Sequence, residues 1–144
     1  MMVRPGEEGV VLAVLAGGAA IAGHVASPYL LFRGGKGVAT TIGVFAVLLR
    51  QWLLLPLAVW VAAARLTGYV SVGSMLFAAS LPVASYLAWR GKDGAVWVLG
   101  LSAVVAVVII YRHRSNMRRL VAGTEHRYGE QLKEAKSSDA GTSD

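Results

Sequence analysis

From Gln51 to Trp89 the chain carries a single charged residue, Arg65. Water-soluble domains do not sustain an uncharged apolar run of that length, because both faces of every helix in it would need burial. Residues 9–31, 38–49 and 94–111 form further apolar stretches. A helix rises ~1.5 Å per residue and the hydrocarbon core of a bilayer is ~30 Å thick. On that measure 9–31 and 94–111 each suffice for one crossing, and 51–89 for two. Hydrophobic residues make up 56% of the chain and charged residues 15%, whereas soluble domains lie near ~45–50% and ~25%. With no cysteine in the sequence, disulfides and thiolate metal sites are excluded.

The long run needs a turn, and Arg65-Leu66-Thr67-Gly68-Tyr69 supplies it. An arginine at the bilayer centre costs ~2.5–3.5 kcal/mol, so Arg65 belongs at an interface. Gly68 gives the backbone freedom for a tight hairpin. Spans near 51–66 and 71–89 follow, then a polar turn at residues 90–94. Residues 38–49 make only ~18 Å of helix, too short to cross unless tilted or buried among neighbours. After the last span, Met117, Leu120, Val121, Thr124, Tyr128 and Leu132 recur at helical spacing, which predicts an amphipathic helix on the membrane surface. The expected fold is an all-α polytopic membrane bundle. It has about four spans, one short or half-inserted helix at 38–49, and a cytoplasmic amphipathic helix. Residues 1–135 form a single membrane-embedded domain, and 136–144 a disordered polar tail.

Orientation follows from the basic residues. If the segments alternate, Arg33, Lys36, Arg65 and every Lys and Arg from Arg112 onward share one side, leaving Arg4, Arg50, Arg90 and Lys92 on the other. The positive-inside rule puts the richer side in the cytoplasm. That assignment requires 38–49 to cross; a segment that only dips in reverses all later parity. The basic block after residue 111 therefore reads as membrane anchoring and anionic-lipid contact rather than nucleic-acid binding. The first 23 residues resemble an export signal, but Glu7 and Glu8 give the wrong charge for one.

Three polar clusters share that richer side. The first contains Gly23, His24, Ser27 and Pro28, then Phe32-Arg33-Gly34-Gly35-Lys36-Gly37-Val38-Ala39-Thr40. Glycines let backbone N–H groups approach an anion, a helix starting near Val38 points its positive end there, and Lys36 adds charge. A plain turn with two anchoring cations is the alternative. The spacing is not that of a Walker A loop, since Leu30 stands where its first glycine belongs. The second cluster is Tyr69-Val70-Ser71-Val72-Gly73-Ser74. Its two hydroxyls either reach a substrate phosphate or bond to the preceding helical turn. The third runs from Arg112 through His113 and Asn116 to Leu120; it reads either as a phosphate-binding arginine beside an acid–base histidine or as a basic stop-transfer cap. No metal-ligand spacing, cofactor motif or Ser–His–Asp arrangement is found, so positioning and phosphate electrostatics would carry any chemistry.

In this order the clusters resemble the PlsY-type bacterial membrane glycerol-3-phosphate acyltransferases. Their second motif is matched by Gly23-His24, Phe32 and Gly34 to Thr40. Their third motif, Arg-His-x-x-Asn-x-x-Arg-Leu, is matched by Arg112, His113, Asn116, Arg119 and Leu120, and a Tyr-x-Ser-x-x-Ser run by Tyr69, Ser71 and Ser74. Ser27 stands where the family has proline, and Tyr29 where it has phenylalanine. The family's first motif, Ser-Gly-Asn-x-Gly-Ala-Thr-Asn, has no counterpart, so the chain is expected to begin at the family's third span.

The resemblance implies transfer of a fatty acyl group from acyl-phosphate to the 1-hydroxyl of glycerol 3-phosphate, with no cofactor or metal. It implies phosphate binding by Gly34, Gly35, Lys36, Gly37, Thr40, Ser71, Ser74 and Arg112, catalysis by Lys36, His113 and Asn116, and orientation by His24. With no carboxylate base in any span, the phosphate of acyl-phosphate is the expected proton acceptor. The open alternatives are a catalytically incomplete fragment, a membrane phosphate-ester binder or transporter, and a subunit that needs a separate chain to supply the missing helices.

Overall fold

A computed structural model describes residues 6–26 and 36–128. Among them all regular structure is helical: α1 (Glu7–Val25), α2 (Val38–Leu49), a 3-10 turn at Arg50–Leu53, α3 (Leu54–Thr67), α4 (Val70–Trp89), α5 (Ala95–Arg112) and α6 (Arg114–Val121). Four stretches are long and apolar enough to cross a membrane, namely Glu7–Val25, Val38–Thr67, Val70–Trp89 and Ala95–Arg112.

The turn expected at residues 65–69 is present. Gly68 closes α3 in the left-handed conformation at φ 78°, and α4 starts two residues later. α4 is the central helix, with Phe77, Ala78, Leu81 and Ala84 wholly inaccessible. Its outward positions are apolar and open (Leu76, Val83), as suits a helix facing lipid. A close α3–α4 approach is set by Gly73: a Cβ there would lie 2.7 Å from the Trp60 carbonyl oxygen and 3.3 Å from Ala64 Cβ. Small residues let membrane helices pack by dispersion where no hydrophobic drive acts between them.

The short helix traverses the bundle instead of dipping into it. Val44 of α2 packs on Gly17 of α1, and Val25 at the end of α1 reaches Gly37 at the start of α2. At the far end, the Trp89 indole of α4 donates 2.9 Å to the Leu48 carbonyl. α2 is therefore antiparallel to α1, and the Arg50–Leu53 turn reverses the chain into α3. Pro56 sits in the first turn of α3, where its missing N–H has no intrahelical partner to lose.

The expected long amphipathic helix is corrected by the structure. α6 ends at Val121, and Gly123 at φ 69° turns the chain aside. Residues 124–128 then fold back on the α3–α4 turn, where Tyr128 N–H donates 2.7 Å to the Gly68 carbonyl. Tertiary docking outweighs the 3.6-residue pattern there, because the return lets Glu125 meet Asn116 and Arg119 and lets Arg127 stack on Tyr69, contacts that a continued surface helix would not make. Leu132 and the tail lie outside the described residues.

Candidate active site

All three polar clusters meet at one end of the bundle. α1 finishes there and α2 begins there, with Gly37 buried and left-handed at φ 80° as the residue preceding α2. No side chain caps α2, so its first N–H groups are available to an anion. Lys36 is exposed immediately before it. Arg112, ending α5, donates 3.2 Å to the Val25 carbonyl and so ties the third cluster to the first. Lys36, Arg112, Arg114, Ser115 and Arg118 line a cleft of 370 Å³. A cleft walled by four cations fits a phosphate ester.

His113 is 2% exposed at the break between α5 and α6. Its Nδ1 lies 2.8 Å from the Ile109 carbonyl. A carbonyl only accepts, so Nδ1 carries the proton and Nε2 keeps its lone pair in the neutral ring. Burial holds the His113 pKa below the ordinary 6.5, opposed by that hydrogen bond and helped by the charge of Lys36. The ring is thus neutral near pH 7, fixed in one tautomer.

Asn116 is buried, and its Nδ2 donates to Glu125 Oε1 at 2.5 Å. Arg119 Nε donates 2.7 Å to the other oxygen of the same carboxylate. Burial by itself would raise the Glu125 pKa. The Asn116, Ser71 and Arg119 dipoles, with the Arg119 charge, outweigh it and hold the group below its ordinary 4.5. The Ser71 hydroxyl is buried beside this carboxylate without a bond of normal geometry. Arg127 stacks on Tyr69 at 5.5 Å and donates to its hydroxyl at 3.3 Å, fastening the returning segment.

Sequence reasoning placed no carboxylate here, and Glu125 corrects it. The residue lies in no span; it reaches the site because Gly123 reverses the chain. Its signal was a glycine and a lone acid directly after a dense basic block. Lys36 and Arg112 line the cleft with Gly37 at the start of α2, His113 follows Arg112, and Ser71 and Asn116 face Glu125. Thr40 is half-buried in the first turn of α2, while the neighbouring Thr41 is inaccessible, its hydroxyl without a partner. Ser74 is engaged otherwise: it donates 2.9 Å to the Val70 carbonyl and accepts from the Trp60 indole at 3.3 Å. His24 is exposed in the last turn of α1, at the same end. Gly34 and Gly35 lie outside the described residues.

Comparison with known proteins points one way. A family profile described as glycerol-3-phosphate acyltransferase matches residues 2–123. A protein of Rhizobium meliloti (strain 1021) named glycerol-3-phosphate acyltransferase is 44% identical over 122 residues, which is 85% of this chain and 58% of the relative. One of the same name from Fusobacterium nucleatum is 40% identical over 115 residues, 80% of this chain and 57% of its own length. The chain thus spans less than two thirds of the curated relatives it matches. The crystal structure of PlsY, an integral membrane glycerol 3-phosphate acyltransferase, in its glycerol 3-phosphate form superposes with a TM-score of 0.71 at 32% identity, covering 85% of this chain and 65% of that one. Its lysophosphatidic acid form gives 0.69 at 33% identity.

Proposed function

Since this chain belongs to the glycerol-3-phosphate acyltransferase family, we propose that it carries most of a site moving a fatty acyl group from acyl-phosphate to the 1-hydroxyl of glycerol 3-phosphate. The observation that carries this reading is the meeting of three separate parts of the sequence at one end of the bundle: Lys36 and Arg112 line a cationic cleft, His113 feels the Lys36 charge, and Ser71 and Asn116 face Glu125 close by. The products are lysophosphatidic acid and inorganic phosphate. The membrane domain extends over residues 1–135, with the site on the cytoplasmic side of a bacterial cell membrane. Among the described residues, seven Lys and Arg lie at the site end and three at the other, which supports that orientation.

In the reaction the glycerol hydroxyl oxygen attacks the acyl carbon, and the bond from that carbon to the phosphate oxygen breaks. Lys36, the start of α2 and Arg112 hold phosphate and offset its growing charge. Gly34, Gly35 and Thr40 complete that cradle, and His24 orients it from the end of α1. Asn116 and neutral His113 position the attacking hydroxyl. Glu125 is a weak base, because the Asn116 and Arg119 donors and the Arg119 charge hold its pKa down. The departing phosphate remains the better acceptor for the hydroxyl proton, which leaves with it.

The test is acyl-phosphate-dependent conversion of labelled glycerol 3-phosphate by the purified chain in liposomes, with Lys36→Ala in parallel. Product that disappears in the variant supports the reading. No product until a second chain carrying the part of the relatives that this chain does not span is added identifies a site that needs that further segment. No product even then, with glycerol 3-phosphate flux across the liposome, would replace it with a transporter.

A further inference from the structure

The proposed reaction leaves the opposite end of the bundle unused, and a cavity of 760 Å³ lies there. Its floor is apolar, including Leu48 and Ala88, and its rim carries Arg50, Lys92 and Asp93 beside the Trp89 indole. We propose that this cavity binds the headgroup of a membrane phospholipid, with the phosphate between Arg50 and Lys92.

The first observation is backbone strain. Arg50 has φ 51° and ψ −124°, and among the described residues it is the one non-glycine with positive φ. Glycine adopts such a conformation freely, while other residues hold it at a cost. Arg50 is held in this conformation at the rim of the cavity, and a guanidinium has five donors, so it can contact a phosphate beside the interaction it already makes.

The second observation is a fixed ammonium. The Trp89 ring is pinned by its bond to the Leu48 carbonyl, and Lys92 Nζ stands 5.7 Å from the ring centroid. Lys92 also donates to the Ala88 carbonyl, which caps the end of α4. An ammonium has three donors, so two remain for phosphate oxygens. The exposed Asp93 carboxylate suits the hydroxyls or the ammonium of a lipid headgroup. The setting selects an amphiphile over a free anion: the cavity lies where α1 begins and α2 and α4 end, and its apolar floor takes methylenes.

Native mass spectrometry of the whole chain from detergent, with added phosphatidylglycerol, diacylglycerol or inorganic phosphate, tests this. One phosphatidylglycerol should be retained by the parent, and retention should fall at least about tenfold in Arg50→Gly/Lys92→Gln as two charged donors are lost. Arg50→Gly relieves the turn, which offsets loss of the interaction Arg50 makes within the protein, and a cooperative thermal transition in detergent shows that the variant is folded. Lys36→Ala should retain lipid like the parent, which separates this site from the acyl-transfer reading. Equal retention by the double variant, or of diacylglycerol, overturns the proposal. Displacement of the lipid by millimolar phosphate would make it a small-anion site instead, and also overturns it.

Discussion

Glu125→Gln is the most informative single change at the site. The carboxylate takes two hydrogen bonds, from Asn116 and Arg119, and its side chain is 7% exposed. An amide keeps one acceptor oxygen and turns the other atom into a donor. It can therefore satisfy Arg119 or Asn116, and it faces the other donor-to-donor. A hydrogen bond to a charged group is worth about 1.5–3 kcal/mol, and a stranded buried donor costs more. The expected loss is about 2–3 kcal/mol. For a chain of this size that lowers the thermal transition by about 6–15 °C, read by differential scanning fluorimetry in detergent. The pH dependence gives a second signature. The Glu125 pKa is lower folded than unfolded, so its contribution is complete above the unfolded value of 4.5 and fades as pH falls through the folded value. The parent should lose stability below about pH 4.5 through this group, and Glu125→Gln should lose that part of the slope. An unchanged transition in the variant, or an unchanged acid slope, would refute the reasoning that the 122–128 return segment is held by this carboxylate.

Lys36→Ala should lower kcat/KM for glycerol 3-phosphate about 10- to 150-fold, the equivalent of one charge-assisted phosphate contact; steady-state kinetics decide it, and parent-like values would remove Lys36 from the phosphate cradle. Ser71→Ala should reduce turnover at unchanged stability, because the buried Ser71 hydroxyl has no normal bond to lose. Ser74→Ala should do the reverse, costing about 0.5–1.5 kcal/mol in the thermal transition with turnover retained; the opposite pairing would exchange their roles. The acid limb that His113 contributes to the rate–pH profile should fall below pH 6.5, since burial disfavours the imidazolium. A limb above that pH which vanishes in His113→Gln would contradict the neutral, buried ring. Gly73→Ala should destabilise by about 1–3 kcal/mol, because the new Cβ must move α3 away from α4. An unaltered melting temperature would show that the helices can part at no cost.

Much of this protein was legible in the sequence, for a reason particular to membranes. Inside lipid each backbone group must be satisfied within its own helix, so apolar run length nearly dictates the elements. The apolar run from 51 to 89 thus implied two helices, and its single charge, Arg65, marked their junction with Gly68. Basic residues sort by side for electrostatic reasons, so the gathering of Lys36, Ser71 and Arg112 at one end was also foreseeable. Three matters depended on tertiary contact. Whether 38–49 crosses was set by the packing of Val44 on Gly17 and of Trp89 on Leu48, partners remote in sequence. Ser71 and Ser74 look equivalent along the chain, but only Ser74 meets the Trp60 indole, because Gly73 brings α3 so close. Glu125 joined the site only through a reversal at Gly123, in a segment whose periodicity favoured continued helix. A local pattern registers which face a residue occupies, while the identity of its neighbour is fixed by how the faces dock.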